Sequence, residues 1–174
     1  MSLSMYQASA PVFLRALRNL RAVLSKGEAH AIDKGYDPAL LLQARLTPDM
    51  FPLLRQVQIS TDMAKNGCAR LAGVEPLAFP DDETTFSQLY ARIDRALEYI
   101  NGFGAEQLDG SEARAVSFMT RNNGEMRFDG QSYLLQFVLP NLFFHGTTAY
   151  AILREAGVAL GKTDFLGEPP RAMA

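Results

Sequence analysis

Residues 4–34 read SMYQASAPVFLRALRNLRAVLSKGEAHAIDK, and this stretch decides the fold class. Tyr6, Ala10, Phe13, Leu17, Leu20 and Leu24 recur at alternating four- and three-residue steps, the period of one apolar stripe along an amphipathic helix. Arg15, Arg18 and Arg21 occupy the other side. Pro11 removes a backbone donor, so it either kinks the first turns or marks the true start of the long helix. Gly35 ends the run, and Asp37-Pro38 opens a short helical turn through Leu41-Leu42.

Three further helices follow from the same period. Thr47-Pro48-Asp49 offers a capping hydroxyl and a proline at the first helical position, a start signal for the second helix. Pro52 suggests that the regular ladder begins slightly later. Met50, Leu54, Val57, Thr61, Ala64, Cys68 and Leu71 form its inward stripe, Gln58 and Asp62 border that stripe, and Gly73 stops it. Residues 74–82, with Pro76 and Pro80, are a connection. Thr85-Phe86-Ser87-Gln88 is a capping box that opens the third helix, whose buried face is Phe86, Leu89, Ile93, Ala96 and Ile100. Gly102 and Gly104 end it.

The period then shortens. Residues 115–119 and 125–128 are strand-like runs around Asn123-Gly124, a strong hairpin signal. Asp129 can cap the fourth helix, with Leu134, Phe137, Asn141, Phe144, Thr148 and Ile152 inward, a bend at Pro140 and an end at Gly157. The expected architecture is all-α: one domain over residues 1–174, a four-helix bundle with a small β-hairpin at about 113–129 between helices three and four. A tail at about 158–174 is too short for another long helix. The long hairpin connection also permits a crossover topology.

Composition narrows the function classes. A chain of 174 residues, 48% hydrophobic and 21% charged, suits one soluble globular domain. Seventeen basic residues against nineteen acidic ones leave no basic excess for nucleic-acid binding. No apolar run is long enough to cross a membrane and no signal peptide is evident, so the expectation is cytoplasmic, without membrane or nucleic-acid partners. Cys68 stands alone, which excludes an intrachain disulfide; a small core residue and a reactive thiol are its two readings. No nucleophile elbow accompanies Ser60, Asp62 and His145, and Gly102-Phe103-Gly104 lacks the flanking elements of a phosphate loop.

His30 and His145 are the only histidines, so three-histidine metal chemistry is impossible within one chain. His145 lies in an apolar, helix-period run, and three readings of it stay open. In the first it is a core-edge histidine hydrogen-bonded to Gln58 or Asp62 on the second helix. In the second it belongs to a small polar pocket with Gln58, Asp62, Asn141, Tyr6 and Tyr150. In the third it binds a divalent metal, with Asp62 and water completing a mixed shell.

The wording of the chain also carries a resemblance. Met5-Tyr6 and Pro11-Val12-Phe13, Ala44-Arg45-Leu46, Pro48-Asp49-Met50, Arg55-Gln56-Val57-Gln58 and Arg70-Leu71-Ala72-Gly73 come in a familiar order. Pro140-Asn141, Phe144-His145, Thr147-Thr148-Ala149-Tyr150 and the tail from Gly161 to Gly167 continue it. The chain resembles, end to end, the domain-of-unknown-function family nineteen-ninety-three, a branch similar to the DinB/YfiT-like helical bundles. That resemblance implies a divalent metal held by one histidine of the second helix and two, four apart, of the last; it also implies thiol-transferase relatives and dimers. Carried over, it matches His145 only, since Ala149 stands four residues on and the second-helix position falls near Gln58.

The expectation is therefore a small-ligand-binding or non-catalytic protein with a degenerate metal site, no cofactor, and a homodimeric assembly. The alternatives are a metal-dependent transferase or hydrolase using His145 with non-histidine co-ligands, and a structural or interaction protein acting as a dimer.

Overall fold

A computed structural model describes residues 3–120 and 124–168 of the chain. Four helices of 16 to 25 residues dominate it: α1 (Ala10–Lys34), α2 (Leu53–Ala72), α3 (Phe86–Asn101) and α4 (Leu139–Glu155). Strands β1 (Ala115–Thr120) and β2 (Gly124–Asp129) form an antiparallel hairpin between α3 and α4, with Val116 opposite Phe128 and Phe118 opposite Met126. A five-residue helix, α5 (Lys162–Leu166), lies back on α1. The chain is thus mostly helical with one small hairpin. Among the described residues no helix is long and apolar enough to cross a membrane.

The expected helix over residues 4–34 is broken at Ser9. Its φ of −119° and ψ of −85° separate a short turn, Met5–Ala8, from α1. Pro11 therefore marks a start rather than a kink, at a position where its missing donor costs nothing. The stripe is as expected, with Phe13, Leu17 and Leu24 fully buried, and Gly35 closes α1 at φ +75°, a conformation that glycine reaches without a Cβ clash.

The second helix starts later than Thr47-Pro48-Asp49 predicts. Pro52 stays extended and forms the cap, and α2 begins at Leu53. Proline disfavours helical geometry in the residue before it, so no regular ladder can run through Phe51. Thr47 instead donates to the Asp49 carboxylate at 2.5 Å in an exposed turn, and Met50 is only half-buried. The buried face of α2 is wider than one stripe, taking in Leu53, Gln56, Ser60 and Lys65 as well as Val57, Thr61, Ala64, Cys68 and Leu71. Gly67 allows the closest packing: a Cβ there would lie 3.0 Å from both Phe13 and Val138.

The capping box at Thr85 and Gln88 and the cap from Asp129 to Ser132 N are both present. Gly124 opens β2 at φ +66°, while Asn123 lies outside the described residues. The hairpin is fixed to the helices by a cluster of Phe118, Phe128, Tyr133 and Phe137. Arg70 of α2 lies 4.0 Å over the Phe118 ring and donates to the Tyr133 hydroxyl at 3.0 Å. Such a cation over a ring contributes about 0.5–2 kcal/mol.

One departure repositions the site. Between Asp129 and α4 the chain makes a π-helical segment, Tyr133–Val138, directly before Pro140. Proline cannot donate to the carbonyl one turn back, and the wider turn absorbs the gap. It also shifts the phase of the first turns of α4, while Thr148 and Ile152 are buried as expected. Phe144, expected inward, is 58% exposed, while Leu142, His145 and Ala149 turn to the core.

Candidate functional site

His145 is placed by that phase shift on the face of α4 that meets α2. It is 9% exposed, with Phe144 packed edge-on at 5.2 Å between ring centroids. Its Nδ1 lies 2.7 Å from Gln56 Oε1, and Gln56 Nε2 donates to the Phe51 carbonyl at 3.0 Å. The second bond orients the amide: with Nε2 facing a carbonyl, Oε1 must accept, so Nδ1 carries the proton. Burial, reinforced by the nearby Arg55 guanidinium, lowers the His145 pKa to about 4. At neutral pH the ring is uncharged, with its Nε2 lone pair available.

The partner is therefore Gln56, not Gln58 or Asp62. Gln58 accepts from Arg55 at 3.0 Å and donates to Glu83 at 2.8 Å, while Arg55 also pairs with Asp81. Asp62 pairs with Arg92 at 2.9 Å and with Lys65 at 3.4 Å. Both residues belong to a separate charged net between α2, α3 and the connection at 74–83. Asn141 donates to its own helix, at Phe137 O; the Tyr6 backbone amide bonds Asp109, and Tyr150 packs edge-on against Phe165. The six residues expected around one polar pocket are thus divided among several environments.

The hub of the net is Arg92, 4% exposed. It donates to Thr61, Asp62, Glu83 and the Pro80 carbonyl within 2.7–2.9 Å, and it pairs with Asp81 at 3.0 Å. Lys65, 3% exposed, donates to the Leu77 carbonyl at 2.7 Å. Phe79 lies between Lys65, Arg92 and Arg95. Saturated on every side, these groups hold the connection to the helices and leave no free donor set.

A cavity of about 350 Å³ opens on the neighbouring face, between α1, α4 and α5. Leu17, Leu20, Leu142, Phe143 and Phe165 line it, and Ser60 and Arg15 are among its few polar residues. None of the six expected residues lines it. It abuts the His145 environment, because Ser60 donates to the Gln56 carbonyl and Leu142 and Gly146 flank His145. Sequence reasoning passed over Gln56, although it lies three and four residues from Leu53 and Ser60 on one helical face.

These residues do not suit a divalent ion. Ala149 is buried one turn beyond His145, Gln56 meets the ring at the protonated Nδ1, and the Arg55 charge that lowers the histidine pKa would also repel a cation. Among the described residues no three histidine, cysteine, aspartate or glutamate side chains gather where a metal could be held. Cys68 is fully buried and its thiol is pushed up to about 12, so it is a protonated core residue.

No curated protein matches the chain. Among solved structures, a DinB family member protein from Shewanella denitrificans, a crystal structure at 1.83 Å resolution, is similar: 38% identity, TM-score 0.86, covering 97% of this chain and 95% of that one. Residues 5–166 match the family described as Domain of unknown function (DUF1993). The chain belongs to that family, a DinB-like branch.

Proposed function

We propose that this protein is a non-catalytic small-ligand-binding four-helix bundle, built on a metal-site scaffold whose ligand set has been lost. The carrying observation is the cavity of about 350 Å³ beside a neutral, amide-tethered His145. Its size falls in the range of roughly 300–1,000 Å³ found for small-molecule sites. Apolar walls with a few polar groups give binding and orientation, but no nucleophile paired with a base for turnover.

The test combines metal analysis of untagged protein with amide NMR spectra recorded against small apolar fragments. The expected result is substoichiometric metal and fragment-induced shifts at Leu17 and Gly146. A stoichiometric transition metal, or spectra that no fragment perturbs, overturns the reading. Self-association through Phe143 and Phe144 is the second part of the proposal. Its support is their exposure, 41% and 58%, on adjacent positions of α4. Light scattering of Phe143→Ser/Phe144→Ser should then give a monomer where the parent chain gives a dimer; a monomeric parent removes this part.

A further inference from the structure

The cavity has a lid and a charged mouth. No residue of α5 is buried, yet Phe165 and Leu166 form part of the cavity wall. The segment is held mainly by side chains of α1. Arg15 donates from Nε and Nη2 to the Leu166 carbonyl at 3.2 and 2.9 Å, and from Nη2 to the Glu168 carbonyl at 3.1 Å. Asn19 donates to the Phe165 carbonyl at 3.0 Å, and Lys26 pairs with Asp164 at 2.6 Å. These are exposed or part-buried bonds to a short segment, the kind that opens at small cost.

Arg15 is also the one charged side chain among the described residues around the cavity. Three of its five N–H groups go to the lid, and the two on Nη1 have no partner among the described residues. An anion at the mouth would meet those donors, and the interior beyond it is leucine, valine, alanine and phenylalanine with Ser60 at the wall. At roughly 30 Å³ per heavy atom, the cavity accommodates about a dozen.

Resting on the ligand-binding reading, we propose that this site takes a medium-chain carboxylate: its alkyl chain fills the cavity, its carboxylate sits on Arg15, and α5 closes over it. An alkyl chain of eight to ten carbons matches both volume and lining, and guanidinium is the side chain suited to carboxylate recognition. Because Arg15 fastens the lid as well, ligand head and lid share one residue, and occupancy is coupled to how α5 lies.

The test is titration calorimetry of the full chain with sodium decanoate and with decanol as the uncharged match. Decanoate should bind at one site more tightly than decanol. Arg15→Ala should weaken decanoate about tenfold more than it weakens decanol, since both ligands lose the fastening of the lid but only the charged head also loses the guanidinium. Gly146→Leu should abolish both, because a Cβ there meets only Phe165 at 3.8 Å and the longer side chain extends into the space. Ala16→Phe is the second plug should the first fail to fold. If decanol binds as well as decanoate and Arg15→Ala affects the two alike, the carboxylate assignment falls while the ligand-binding reading stands. If neither probe binds and both plugs simply raise Tm, the cavity is a packing defect and both fall.

Discussion

On the side of α2 that meets α3, Asp62 and Lys65 sit in a net where each charge has an opposite charge within 3.4 Å. On the side that meets α4, Gln56 and Ser60 face one neutral imidazole and the edge of an apolar cavity. The same helix buries polar groups in two ways, and the contrast separates scaffolding from a site. Where donors and acceptors are saturated, a buried charge can be held but no ligand recruited. Where they are sparse, a lone pair on His145 Nε2 keeps capacity that the fold does not consume, whereas the Ser60 hydroxyl donates to the Gln56 carbonyl and keeps only its acceptor lone pairs.

The largest test of that contrast removes Arg92. Its side chain is 1% exposed and holds three carboxylates, so Arg92→Met leaves Glu83 without an opposite charge and Asp62 with Lys65 alone. Breaking a buried pair from one side costs about 3–5 kcal/mol, read from the urea midpoint. A loss below about 1 kcal/mol would mean the net is solvated and the comparison misdrawn.

The next test is acid. His145 titrates at about 4 in the fold against an ordinary 6.5, because burial and Arg55 disfavour its charged form. The unfolded chain therefore takes up the proton first. The stability carried by the neutral ring is complete above pH 6.5, falls as pH drops through 6.5 toward 4, and levels off below that. Between pH 7.5 and 5 the parent chain should lose about 2 kcal/mol more than His145→Gln, from paired urea titrations. Parallel curves for the two proteins would show a solvated, ordinary histidine.

A smaller change should reverse that behaviour. Gln56→Glu puts a carboxylate at the Nδ1–H, and an opposite charge at hydrogen-bond distance favours the imidazolium. The His145 pKa, followed by its ring NMR signals, should rise by at least about one pH unit, equivalent to about 1.4 kcal/mol. No movement would place Gln56 away from the ring in solution.

How much of this could be read in the sequence depended on whether the cause was local. The capping box at Thr85, the stop at Gly35 and the stripe from Phe13 to Leu24 are near-neighbour effects, and each is where the period put it. Phe144 and His145 were not so easily ordered, because the π-helical segment before Pro140 rotates the first turns of α4 and no uniform period anticipates it. Arg92 was hidden for a different reason. It lies three residues after Leu89 and four before Ala96, on the apolar face of α3, but its acceptors come from α2 and from the connection at 74–83. Long-range pairing leaves no local trace, and Gln56 was missed in the same way.

The smallest effect concerns the cavity side again. The Lys26–Asp164 pair is short, at 2.6 Å, and holds the Asp164 carboxyl below its usual range, yet Lys26 is 52% exposed. A long side chain fixed in water loses about as much entropy as the contact returns, so Lys26→Ala should leave Tm within about two degrees. In decanoate titrations the same variant should bind slightly faster, because one fastening of α5 is gone while Arg15 and Asn19 still hold the carbonyls of Phe165 and Leu166. A Tm drop of many degrees would instead make α5 an integral wall. The sparse side of α2 would then be as closed as the charged side, and the distinction between the two would reduce to polarity alone.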